Sequence, residues 1–76
     1  MLKHDTRTKV ANEGGKKLRE AWKQSGKSLR EWGEEQKISY AALHRYMTGV
    51  TLPSIQTAFK MKTNYGIPME DWVKEI

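Results

Sequence analysis

The 76-residue sequence contains no cysteine, which excludes disulfides and cysteine-rich zinc sites and fits a reducing compartment. No run is apolar enough to span a membrane. The first ten residues, MLKHDTRTKV, lack the apolar stretch of a signal peptide. A cytoplasmic protein is the expectation. There is no internal repeat and no low-complexity segment. Runs of β-branched residues are few and no apolar–polar alternation appears, so the chain reads as all-α. At this length one domain is the limit, and such a domain buries only about 60% of its unfolded surface. Three Trp, three Tyr and one Phe supply the large core pieces, each able to bury about 150–250 Å².

Catalytic constellations are also missing. Gly26-Lys27-Ser28 looks like the end of a phosphate-binding loop, but that motif needs a glycine five positions earlier, where Ala21 stands. A helix precedes it where a strand is required. His4 and His44 lie far apart, with no metal-ligand or nucleophile grouping around them. The sequence therefore reads as no enzyme, with no cofactor, no metal and no small-molecule ligand.

Charge is what the sequence has in excess. The net charge is +5, unevenly spread. Residues 1–30 carry nine Lys/Arg against three Asp/Glu, a balance of +6, and residues 31–76 carry five against six, a balance of −1. A basic end on a nearly neutral body suits a polyanionic partner, or is a solvated, solubilising tail. Residues 1 to about 11 lack periodicity and read as a flexible arm on a domain spanning 12–76. Within the arm, Lys3, Arg7 and Lys9 either follow a polyanion or stay in solvent.

Five short helices are expected. The first covers Glu13 to Gln24, with Leu18, Ala21 and Trp22 as its apolar stripe. Gly14 and Gly15 weaken its first turn by about 0.5–1 kcal/mol each, and Gly26 stops it. Ser28 and Glu31 form a capping box for a second helix ending near Gln36, with Leu29 and Trp32 inward. Ser39 caps a third, Tyr40 to Thr48, whose inner face is Leu43, Tyr46 and Met47 and which Gly49 ends. Pro53 opens a fourth at its first turn, running from Ser54 to Tyr65 and burying Ile55, Ala58 and Phe59, with Met61 and Tyr65 as further candidates. Gly66 stops it. Pro68 starts a last short helix with the stripe Met69, Trp72, Val73 and Ile76.

The second and third helices carry the functional signal. A short helix, a turn of about three residues and another short helix is helix-turn-helix spacing. Gly33 allows close crossing. Ile38, Leu43 and Tyr46 anchor the turn and the inner face. Ala41, His44, Arg45 and Thr48 leave an outer face small and polar enough for a DNA major groove, about 12 Å wide.

Across SLREWGEEQKISYAALHRYMTGVTLPSIQTAFKMKTNYGIPMEDW, residues 28–72, the sequence resembles the lambda-repressor-like family, the Cro and phage-repressor type of DNA-binding domain. Gly33, Ile38, Ser39, Leu43, Gly49, Pro53, Gly66 and Trp72 fall where that pattern expects such residues. Three positions depart from it: Lys37 replaces a usual turn glycine, Gln36 a usual apolar residue and Lys62 a usual small apolar one. The resemblance implies a compact five-helix fold whose third helix reads double-stranded DNA, often as a homodimer. The docking of lambda repressor is itself a standard illustration of this geometry.

Residue roles follow from the pattern. Tyr40 and Ala41 open the recognition helix. Arg45 is the strongest candidate for direct readout, since a guanidinium bonds guanine O6 and N7 together; a phosphate or solvent is its alternative. His44 is either a base or phosphate contact or an ordinary surface histidine. Lys27, Ser28, Arg30, Ser39, Thr48, Thr51 and Ser54 are phosphate-contact candidates, with Ser28 and Ser39 acting first as caps. Met69, Val73 and Ile76 form a candidate dimer interface, the alternative being apolar residues exposed on a monomer. A Cro-like repressor on an inverted repeat is the leading expectation. Alternatives are an antitoxin-type autorepressor, a protein-interaction module on the same fold, and a non-specific architectural DNA binder.

Overall fold

The computed structural model describes residues 12–76; the expected arm, residues 1–11, lies outside them. Among the described residues the fold is all-helical, with four α-helices and one 3-10 helix: α1 Glu13–Ser25, α2 Leu29–Gln36, α3 Tyr40–Thr48, α4 Ile55–Tyr65 and the 3-10 helix Met69–Val73.

Every α-helix begins on a side-chain cap and ends on a left-handed residue. Asn12, Ser28, Ser39 and Ser54 accept hydrogen bonds from the amides of Gly15, Glu31, Ala42 and Thr57. Ser28 and Glu31 form the expected capping box. Gly26, Lys37, Gly49 and Gly66 are the left-handed stops, which release the chain at the point where its last carbonyls still find donors.

The core collects one stripe from each element: Leu18, Trp32, Leu43, Met47, Ala58, Met61, Ile67 and Trp72. The α1 helix sits at the centre, packed against all the other elements. Trp32 stacks at a tilt on Tyr65, with ring centroids 5.1 Å apart, and Trp72 meets Tyr46 edge-on at 6.4 Å. Gly14 and Gly15 do more than weaken a turn. A Cβ on Gly14 would overlap the Trp72 indole, and one on Gly15 would stand 2.7 Å from the Met47 carbonyl oxygen. These two glycines let α1 touch the 3-10 helix and the end of α3.

Asp71 locks the same corner. Its carboxylate is buried, accepts a hydrogen bond from Lys17 Nζ at 2.5 Å, and lies 3.4 Å from Lys74 Nζ. The Lys17 hydrogen bond, opposed by burial, holds the Asp71 carboxyl below its ordinary range, and the same contact raises Lys17. Beyond the 3-10 helix the chain runs along the start of α1. The Glu13 amide donates to the Lys74 carbonyl at 2.9 Å, and Asn12 and Glu75 form an isolated antiparallel bridge.

Three expectations are corrected. First, Ile55 and Phe59 are 78% and 58% exposed. The buried row of α4 is Ala58, Met61 and the half-buried Tyr65, roughly a quarter-turn around the helix from Ile55 and Phe59. Second, Pro53 lies outside α4, one residue before the Ser54 cap. Third, the last element is a 3-10 helix of five residues, followed by extended chain. Met69 packs partly on the core and Trp72 is buried, while Val73 and Ile76 are exposed.

Candidate nucleic-acid interface

The α2 and α3 helices meet at Gly33. A Cβ there would stand 2.5 Å from the Ile38 carbonyl oxygen and 3.3 Å from the Tyr40 amide nitrogen and Leu43 Cδ1. Only a glycine permits this approach without displacing backbone. The turn that follows is tight because Lys37 adopts a left-handed conformation, φ 59° and ψ 37°. Its amide donates to Glu34 at 3.2 Å and the Ile38 amide donates to Gly33 at 2.9 Å. Ile38 then packs on the core and Ser39 restarts the chain as α3.

Burial divides α3 into two faces. Leu43 and Met47 are buried and Tyr46 packs on the core, whereas Tyr40, Ala41, His44 and Arg45 are exposed. The four residues expected to contact bases therefore share the outward side of one nine-residue helix. At its start the Ser39 hydroxyl and carbonyl take up the Ala42 and Leu43 amides, at 3.1 and 3.0 Å. The positive end of the α3 dipole lies at this turn.

The phosphate-contact candidates have varied surroundings. Arg30 lies over the Tyr40 ring, its guanidinium carbon 4.7 Å from the centroid. This cation–π contact, worth about 0.5–1 kcal/mol when exposed, holds a cation across the start of α3. Lys27 is ion-paired with Glu35 and would have to exchange that partner to reach a phosphate. Ser28, Ser39 and Ser54 are engaged as caps. The Thr48 hydroxyl donates to the His44 carbonyl at 3.0 Å, with the Arg45 carbonyl at 3.3 Å, so its proton would have to leave the backbone to reach a phosphate. Thr51 is exposed; its amide and that of Val50 both reach the Arg45 carbonyl, which pins the loop to the end of α3.

An open notch of about 300 Å³ lies beside the turn, lined by Arg30, Gly33, Glu34, Lys37, Ile38, Ser39 and Tyr40. Two of its features escaped the sequence reading. The Arg30–Tyr40 contact spans the turn and leaves no local spacing signal. Lys37 stood out only as a departure from glycine, although it is an exposed cation lining the notch. The charge pattern around it also went unread, although the sequence carries it. Positions 36–69 contain no Asp or Glu, and they carry Lys37, Arg45, Lys60 and Lys62. This acid-free segment includes the turn, α3, the loop and α4. The acidic residues of the described chain flank it, on α1, on α2 and from Glu70 onward.

Together these groups form an exposed polar surface rich in hydrogen-bond donors, in which Glu34 is the one carboxylate lining the notch and positions 36–69 carry none. Among the described residues no helix is long and apolar enough to cross a membrane. Comparison with protein-family models, with curated proteins and with solved structures finds no match to the chain.

Proposed function

We propose that this protein is a sequence-specific double-stranded DNA-binding regulator of transcription. In this reading α2, the turn at 37–39 and α3 form a helix-turn-helix of the lambda-repressor type, and α3 is the recognition helix. The observation that carries it is the division of α3: Leu43 and Met47 are buried, and Tyr40, Ala41, His44 and Arg45 face out together on an acid-free segment.

The physical roles follow. Ala41 is small enough to let the helix approach the groove floor. Arg45 takes a guanine edge through two parallel hydrogen bonds, and His44 contacts a neighbouring base or phosphate. Arg30, placed against Tyr40, sits at the backbone side of the notch and holds register, which is the work of phosphate contacts. Acting as a homodimer, the protein would occupy an inverted repeat with half-sites about 10 bp apart. Repression then follows from excluding polymerase, in the manner of a Cro protein, and is governed by concentration.

Salt dependence of duplex binding tests this reading. With about four to six phosphates neutralised per site, log affinity falls against log salt with a slope near −0.9 per contact. Fluorescence anisotropy on a mixed-sequence duplex reads that slope. Arg30→Ala lowers its magnitude by about one contact. Absence of duplex binding at low salt contradicts the reading and favours a protein-interaction module.

A further inference from the structure

Arg30 has two partners within reach, and the structure gives it one of them. On α2, Glu34 follows Arg30 at i+4, the spacing at which side chains of a helix meet. Both line the notch beside the turn, together with Lys37 and Tyr40. Among the described residues, however, no ion pair joins Arg30 to Glu34. The guanidinium carbon lies instead 4.7 Å from the centre of the Tyr40 ring. The order of the charges favours this choice, since a cation placed N-terminal to its carboxylate opposes the helix dipole and is the weaker arrangement.

What the ring supplies is a fixed place. Tyr40 is the first residue of α3, and the close crossing at Gly33 sets its backbone: a Cβ on Gly33 would stand 3.3 Å from the Tyr40 amide nitrogen. The Tyr40 side chain is 47% exposed, and Arg30 covers one face of its ring. A cation–π contact leaves the guanidinium charge in place and its N–H fork available to an oxyanion. A bidentate ion pair with Glu34 would use the same fork on a carboxylate and cancel the charge.

We propose that Tyr40 is a positioning residue for a phosphate contact: its ring holds Arg30 over the start of α3 and away from the Glu34 carboxylate, so that the guanidinium meets a DNA phosphate already in place. In place of the base contact expected of it, Tyr40 acts through Arg30, and Glu34 is the competing acceptor. Holding a rotamer-rich side chain in its bound arrangement removes part of the ordering cost of binding. The proposal rests on the DNA-binding reading and divides the labour within the notch.

The test is a set of double-mutant cycles on binding to a mixed-sequence duplex, read by fluorescence anisotropy across a salt series. Tyr40→Ala is expected to lower affinity about fivefold near 0.15 M salt and to reduce the magnitude of the salt slope by about 0.9, one phosphate contact. Tyr40→Phe, which keeps the ring, restores both. In an Arg30→Ala background, Tyr40→Ala costs nothing further, because the ring has no cation left to place. Glu34→Gln removes the competing charge; it recovers most of the loss in the Tyr40→Ala protein and gains less in the wild type. All three positions are exposed, and circular dichroism checks that each variant is folded. A further loss from Tyr40→Ala in the Arg30→Ala background shows that Tyr40 touches DNA itself and overturns the proposal. So does a salt slope unchanged in Tyr40→Ala, or a Glu34→Gln gain equal in both backgrounds. Duplex binding by none of the proteins, wild type included, removes the DNA-binding reading and the proposal with it.

Discussion

Gly33 approaches Ile38 so closely that a Cβ on the glycine would stand 2.5 Å from the Ile38 carbonyl oxygen. That relationship fixes how far apart α2 and α3 can be, and so where the outer face of α3 points. Gly33→Ala must move backbone rather than a flexible side chain. We expect a loss of about 1–3 kcal/mol, read as a lower urea midpoint. An unchanged midpoint contradicts the close crossing.

Lys37 occupies the left-handed turn, φ 59°, where a non-glycine residue is disfavoured by about 1–2 kcal/mol. Glycine removes that strain but loses about 0.5–1 kcal/mol to chain entropy. Lys37→Gly is therefore expected to stabilise the protein by up to about 1.5 kcal/mol while weakening DNA binding through loss of a cation at the notch. Chemical denaturation and duplex anisotropy on the same variant separate the two effects.

The Lys17–Asp71 pair makes stability depend on pH at both ends. Asp71 has a lowered pKa when folded. Its contribution is present above the unfolded carboxylate value of 3.8 and is lost as pH falls through the lowered folded value. Lys17 is raised above 10.5, so its contribution is present below 10.5 and is lost as pH rises through the raised value. Asp71→Asn is expected to flatten the acid limb of the melting-temperature profile between about pH 2 and pH 5. An acid limb identical to wild type contradicts the assignment.

Gly14 lies under the Trp72 indole. Gly14→Ala gains helix propensity of about 1 kcal/mol but overlaps a buried ring, which costs about 1–3 kcal/mol. The net expectation is destabilisation together with a changed Trp72 environment, seen as altered near-ultraviolet circular dichroism. A stabilised Gly14→Ala protein shows instead that the ring has room to shift.

Caps made the helix positions readable. Ser28 with Glu31, Ser39, Gly26, Gly49 and Gly66 placed two helix starts and three helix stops within a residue of those observed, because capping is local chemistry between positions three or four apart. The outward residues of α3 were readable for a similar reason, since Leu43, Tyr46 and Met47 left only one other face. The α4 face was misread. Ile55, Ala58 and Phe59 fit an i, i+3, i+4 stripe as well as Ala58, Met61 and Tyr65 fit theirs, and which of the two is buried depends on where α1 and the 3-10 helix lie. Long-range contacts were also hidden. Lys17 and Asp71 are 54 positions apart, and neither the Gly14–Trp72 contact nor the Arg30–Tyr40 contact leaves a periodic trace.

Binding-site selection from a random duplex library at near-physiological salt, with Arg45→Ala in parallel, tests the central claim most directly. The expected result is an enriched inverted repeat with half-sites about 10 bp apart and a guanine preference that disappears in the Arg45→Ala selection. Binding without enrichment, or no recovered binding at all, would contradict sequence-specific readout by α3.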